Sequence, residues 1–100
     1  MQPASLPYQH ITFEVFGRVQ GVFFRKHTQR RAAELGLVGW VRNAEHGSVQ
    51  GEAQGARDAI EAMKIWLRTK GSPKSRIDRC DIIDMPPTQQ LSFDAFEVVK

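Results

Sequence analysis

Apolar residues recur along this chain at two different spacings, and the two spacings alternate in a fixed order. In "HITFEVFG" they fall at every second position. Ile11, Phe13 and Val15 point one way and Thr12 and Glu14 the other, as in a strand with one face on a core. From Phe24 to Leu35 the period lengthens. Phe24, Thr28, Ala32 and Leu35 share one helical face, and Gly36 follows where a helix-ending glycine belongs. "LVGWVRN" reads as a second strand, "AEHGS" as a glycine-containing hairpin turn, and "VQGEAQ" as a returning third strand. "ARDAIEAMKIWLRTK" is an amphipathic helix with Ile60, Met63, Trp66 and Leu67 as its stripe and Gly71 as its stop. "GSPKS" is a loop, "RIDRCDIIDM" a fourth strand with imperfect alternation, "PPTQQL" a second loop, and "FDAFEVV" a short final strand.

That order, βαββαβ plus a terminal strand, is the α+β, ferredoxin-like split βαβ arrangement. Right-handed crossovers put both helices on one face of an antiparallel-dominated mixed sheet. The first and second strands are joined by a helix and run parallel, with the third between them. Their carboxyl ends therefore reach the same edge of the sheet, two strand spacings or roughly 10 Å apart. Gly17 opens the loop at one of these ends and Asn43 stands at the other. A small ligand could bridge them.

A chain of 100 residues corresponds to one domain. Residues 1–9 hold two prolines and no periodicity and read as a flexible tail, leaving residues 10–100 as the domain. The hydrophobic fraction of 41% and charged fraction of 25% are those of a soluble globular protein. No apolar run approaches the roughly 20 residues that span a bilayer. "MQPASLPYQH" lacks the basic start and apolar centre of a signal peptide. Cys80 is the one cysteine, which excludes an internal disulfide and fits a reducing, cytoplasmic compartment. The net charge of +3 suits an anionic partner or a mildly basic exterior, and "RKHTQRR" is the densest basic stretch.

That stretch follows directly on "GRVQGVFFR". Gly17 and Gly21 can take positive φ, so the backbone between them can curl until successive N–H groups converge on an anion. The helix that follows adds free N–H donors and the positive end of its dipole. Arg25, in its first turn, brings a planar fork that matches phosphate. The duller reading is a strand-to-helix turn with a surface arginine. Other phosphate loops fit badly. Gly17 and Gly21 are only four apart, too close for a P-loop, and G-x-G-x-x-G is absent. A cysteine-phosphatase loop would need cysteine at Val19, and the sixth residue after Cys80 is Pro86, not arginine. His10, His27 and His46 show no ligand spacing and read as solvated surface residues. With the carboxylates scattered, no metal site is expected. Trp40 reads as core or rim packing, and Phe24 as part of the buried helix face.

"FGRVQGVFFRKHTQRRAAELGLVGWVRN", followed by "GSVQGEAQG" and "SPKSRID", resembles acylphosphatase over about residues 10–100. The resemblance implies an anion loop made of Gly17, Arg18, Val19, Gln20, Gly21, Val22 and Phe23. It implies a phosphate-binding arginine at Arg25 and a water-orienting asparagine at Asn43. One branch of the family carries cysteine at Phe23; that position offers its backbone N–H, so little effect on activity is expected. The side chain of Arg18 reads as solvated. The implied reaction is hydrolysis of a small-molecule acyl phosphate to carboxylate and inorganic phosphate, with phosphate as competitive inhibitor. It needs no cofactor, metal, membrane or nucleic acid, and the chain is expected to be a monomer. A sparse site suffices, because a carboxylate with a conjugate-acid pKa near 4 to 5 departs without a general acid, and phosphoryl transfer needs mainly positioning and charge neutralisation.

Two rivals share the fold. RNA-recognition domains stack bases on strand aromatics, and "SVQGEAQ" has none. An acylphosphatase-like domain of a larger carbamoyl-transferring enzyme is not expected of a free-standing chain of 100 residues.

Overall fold

The structure, a computed structural model, describes residues 6–99. The elements run β1 (Tyr8–Arg18), α1 (Phe24–Glu34), β2 (Val38–Asn43), a single 3-10 turn (Glu45–Gly47), β3 (Val49–Gly55), α2 (Arg57–Thr69), β4 (Arg76–Thr88) and β5 (Phe96–Val99). The sheet order is β4-β1-β3-β2-β5. The pairings of β4 with β1, β1 with β3 and β3 with β2 are antiparallel, and β5 pairs with β2 in parallel. This is the ferredoxin-like arrangement expected from the two periodicities.

Alternation decides which face of the sheet is covered. Ile11, Phe13 and Val15 on β1, Val41 on β2, and Val49 and Ala53 on β3 are all buried, and they share one core with the apolar stripes of both helices. From α1 come Phe24, Thr28 and Ala32; from α2 come Ile60, Met63 and Leu67. Trp66 is half-buried, its ring 5.7 Å from that of Phe24, and this contact ties the helices together. The one polar member of the α1 stripe is satisfied locally, because the Thr28 hydroxyl donates to the Phe24 carbonyl at 2.8 Å. Helix α1 ends in a Schellman motif. The N–H of Leu37 bonds to Ala32 O and that of Gly36 to Ala33 O, with Gly36 at φ 71°.

Both ends of the periodic pattern run further than alternation suggests. The assignment of residues 1–9 to a tail falls outside the described residues for its first five, while Tyr8 and Gln9 belong to β1 and pair with β4 and β3. "PPTQQL" is not wholly a loop, since β4 continues through Pro86, Pro87 and Thr88. Strand β4 lies at the sheet edge, where a missing proline N–H costs no ladder bond on the open side. Tyr8 pairs with Thr88 and His10 with Met85, so the proline pair sits in a bulge that absorbs one extra residue. A second shift between Phe16 and Gly17 leaves Asp78 as the extra residue and explains the imperfect alternation of this strand.

Among the described residues, the other face of the sheet carries no helix. On it His10 is not the solvated residue expected from sequence: its ring pairs with the Glu52 carboxylate, which also accepts from Trp40 Nε1 at 2.9 Å. Trp40 is a rim residue of that face, with the Arg42 guanidinium 5.3 Å from its ring centre. No described helix is long and apolar enough to cross a membrane.

Candidate active site

Strands β1 and β2 both pair antiparallel with β3 and so finish at the same edge of the sheet. A pocket of about 620 Å³ opens there. It is lined by Val19, Gly21 and Phe23 from the β1–α1 connection and by Phe24, Arg25, Lys26 and Gln29 from α1. Asn43 from the end of β2 and Val98 from β5 also line it. Gln29 ties α1 to β5, its amide donating to Phe96 O at 3.0 Å.

The loop is shorter than its sequence signature, because Gly17 and Arg18 still pair with β4 across the bulge. Gly17 has φ 130°, and a Cβ there would lie 2.1 Å from the Arg76 carbonyl oxygen, so this glycine serves close strand contact. Gly21 has φ 75° and open space around it, so its role is the bend itself. The side chains of Val19 and Val22 turn into the core, at 1% and 6% exposure, and anchor the loop from within. Arg18 is exposed, as expected. The Gln20 amide donates to Ala44 O at 3.0 Å and Ser48 O at 2.8 Å. This side chain fastens the loop to the turn just beyond Asn43, a tether between partners far apart in sequence that leaves no local signal.

Among the described residues, no turn, loop or cap hydrogen bond to another backbone group is donated by the N–H of Gln20, Gly21, Val22 or Phe23. The helix that begins at Phe24 leaves its own first-turn donors free as well. It has no side-chain cap, no acid in its first turn, and two cations, Arg25 and Lys26, where the dipole is already positive. Among the described residues Arg25 has no carboxylate partner. Unpaired N–H groups, a dipole end and an unneutralised guanidinium thus follow one another along the loop and first helical turn that line the pocket, an arrangement suited to an anion.

Asn43 also lines an adjoining polar hollow of about 530 Å³, shared with Glu14, Arg42, Glu45 and His46. The Glu14 carboxylate accepts from the Ser48 hydroxyl, and Glu45 and His46 are exposed. His27 stays partly exposed, and its backbone N–H and ring Nδ1 both bond to the Phe23 carbonyl, at 3.1 and 2.9 Å. Cys80 lies on β4, half-buried, where desolvation pushes its thiol up to about 11, so it stays protonated near neutrality. Among the described residues no three His, Cys, Asp or Glu side chains are grouped to hold a metal.

Residues 11–98 match the acylphosphatase family model. The chain is 48% identical to Acylphosphatase-1 of Homo sapiens over 90 residues, covering 90% of this chain and 91% of that one. It is 47% identical to Acylphosphatase-2 of Meleagris gallopavo over 93 residues, covering 93% and 90% of the two chains. Among solved structures, an acylphosphatase from Coxiella burnetii superposes with a TM-score of 0.84 at 34% identity, over 93% of this chain and 94% of that one. A segment amounting to 13% of full-length HypF superposes on 98% of this chain with a TM-score of 0.82 at 26% identity.

Proposed function

The chain belongs to the acylphosphatase family, a family of hydrolases, and from that membership we propose a division of labour for its site. The backbone N–H groups of Gln20 to Phe23 and the Arg25 guanidinium hold the phosphoryl group of a small acyl phosphate. Asn43 holds the attacking water in line. The observation that carries this reading is the run of unpaired N–H donors beside an arginine without a carboxylate partner.

The transition state spreads charge over the equatorial phosphoryl oxygens, and fixed donors neutralise it without reorganising. A carboxylate leaves unaided, so neither a general acid nor a metal is required. With Glu14 engaged by Ser48, the proton of the attacking water passes to a phosphate oxygen of the substrate. Inorganic phosphate, the second product, competes for the same donors. The chain acts as a monomer on a small molecule, without nucleic acid or membrane, in the reducing cytoplasm that a lone thiol suits.

Steady-state kinetics on Asn43→Ala test the assignment. Water orientation is an interaction of the transition state, so kcat should fall about 10²-fold while KM and phosphate inhibition stay near wild type. Wild-type kcat in a folded Asn43→Ala protein would exclude the role. Hydrolysis in excess EDTA should be complete, and activity lost there and restored by Mg²⁺ would overturn the metal-independent scheme.

A further inference from the structure

We infer that the Phe23 side chain recognises the acyl half of the substrate and biases the site toward acyl phosphates with an apolar or aromatic face. This rests on the phosphoryl-binding role proposed above. Phe23 has φ 60° and ψ 26°, a left-handed conformation that is a genuine outlier for a bulky residue and collects at functional sites. The strain is held in place. Val22 and Phe24 on either side are buried, and the Phe23 carbonyl takes both hydrogen bonds from His27.

Folding gains nothing from the ring itself. At 73% exposure it is the most exposed of the large apolar side chains described, and asparagine or glycine would adopt this backbone conformation at lower cost. Yet Phe23 lines the pocket together with Arg25, Lys26 and Asn43. In-line attack fixes the two ends of the reacting phosphoryl group. Water enters from the Asn43 side, and the carboxylate leaves from the side away from it. Phe23 lines the pocket from the β1–α1 loop, a different element from the strand that carries Asn43. An exposed phenyl there covers the acyl group as it leaves and is itself taken out of water by a matching apolar partner. Acetyl offers little to cover; benzoyl offers a whole ring face.

The test is the ratio of kcat/KM for benzoyl phosphate to that for acetyl phosphate, measured on the wild type, Phe23→Ala, Phe23→Asn and Phe23→Tyr, with phosphate inhibition read alongside. Asparagine suits the left-handed backbone, so Phe23→Asn removes the ring while keeping the bend. The wild type should favour benzoyl phosphate. Both ring-less variants should lower the ratio about tenfold, the scale of one lost apolar contact, and Phe23→Tyr should retain it. An unchanged ratio in a folded Phe23→Asn protein would overturn the inference. So would an equal fall on both substrates together with lost phosphate inhibition, which would make the ring a prop for the loop. A wild type inert toward both substrates would instead bring down the proposed hydrolysis, and this inference with it.

Discussion

The chain passes from strand into helix twice, and it does so in two different ways. Between β3 and α2 a single residue suffices. Ala56 sits at φ −60° and ψ 150°, and the helix then opens with Asp58 in its first turn, an acid at the positive end of the dipole. Between β1 and α1 the chain spends residues 19–23, bends through left-handed conformations at Gly21 and Phe23, and opens the helix with Arg25 and Lys26 and no acid. Neither helix has a side-chain cap. The topology therefore requires only the short version. The extra residues, the positive φ angles and the unfavourable charges of the first connection are what the anion-binding role proposed above accounts for. The second connection sets a carboxylate at the positive end of its dipole, and the first sets none.

The comparison breaks most visibly at its two arginines. Arg25→Gln should lower kcat/KM about 10³-fold or more, with phosphate inhibition lost and a melting temperature unchanged or slightly higher, since a cation leaves a positive helix end. Lysine should rescue poorly, because a point charge does not reproduce the fork. Arg57→Gln, at the start of α2, should leave hydrolysis untouched. Equal effects in kinetic assays of the two variants would erase the distinction between the connections.

The two strand-end glycines should differ by less. A methyl group at Gly17 meets the Arg76 carbonyl at 2.1 Å, backbone that cannot step aside, whereas one at Gly55 meets the flexible tip of Leu37 at 2.4 Å. Urea unfolding should place Gly17→Ala about 3 kcal/mol below wild type, a large single-residue effect, and Gly55→Ala about 1 kcal/mol below it. A reversed order would mean that the β4 bulge yields more easily than its register suggests. Smallest is the acid of α2. Asp58→Asn should cost about 0.5 kcal/mol, diminishing with added salt, and leave kcat unchanged. Any loss of activity would show that the second helix start also contributes to the site.

Much of this contrast was legible before any coordinates. Ile11, Phe13 and Val15 announce β1 by alternation, and Ile60, Met63 and Leu67 announce α2 by helical spacing, because burial on one face leaves a periodic trace. "GRVQGVFFR" announced a bend by its glycines. The misses occur where structure depends on partners far along the chain. Pro86 and Pro87 read as a break, yet an edge strand tolerates them once a bulge takes up the register. His10 reads as solvated until Glu52 is brought beside it from β3. Gln20 looks like one more loop residue, and only the fold shows that its amide reaches Ala44 and Ser48. The left-handed Phe23 leaves no compositional trace, since its strain is maintained by His27 and by its buried neighbours.

The parallel pairing of β5 with β2 also determines where this chain can be joined to something else. Strand β5 runs toward the same edge as Asn43, and Val98 already lines the pocket. Strand β1 starts at the opposite edge, with Tyr8 separated from that opening by roughly 30 Å of extended backbone. A reporter domain or affinity handle appended after the last strand would crowd the entrance and interfere with substrate exchange. The same handle attached ahead of Tyr8 would leave the entrance clear, so the amino-terminal side is the one to immobilise or fuse.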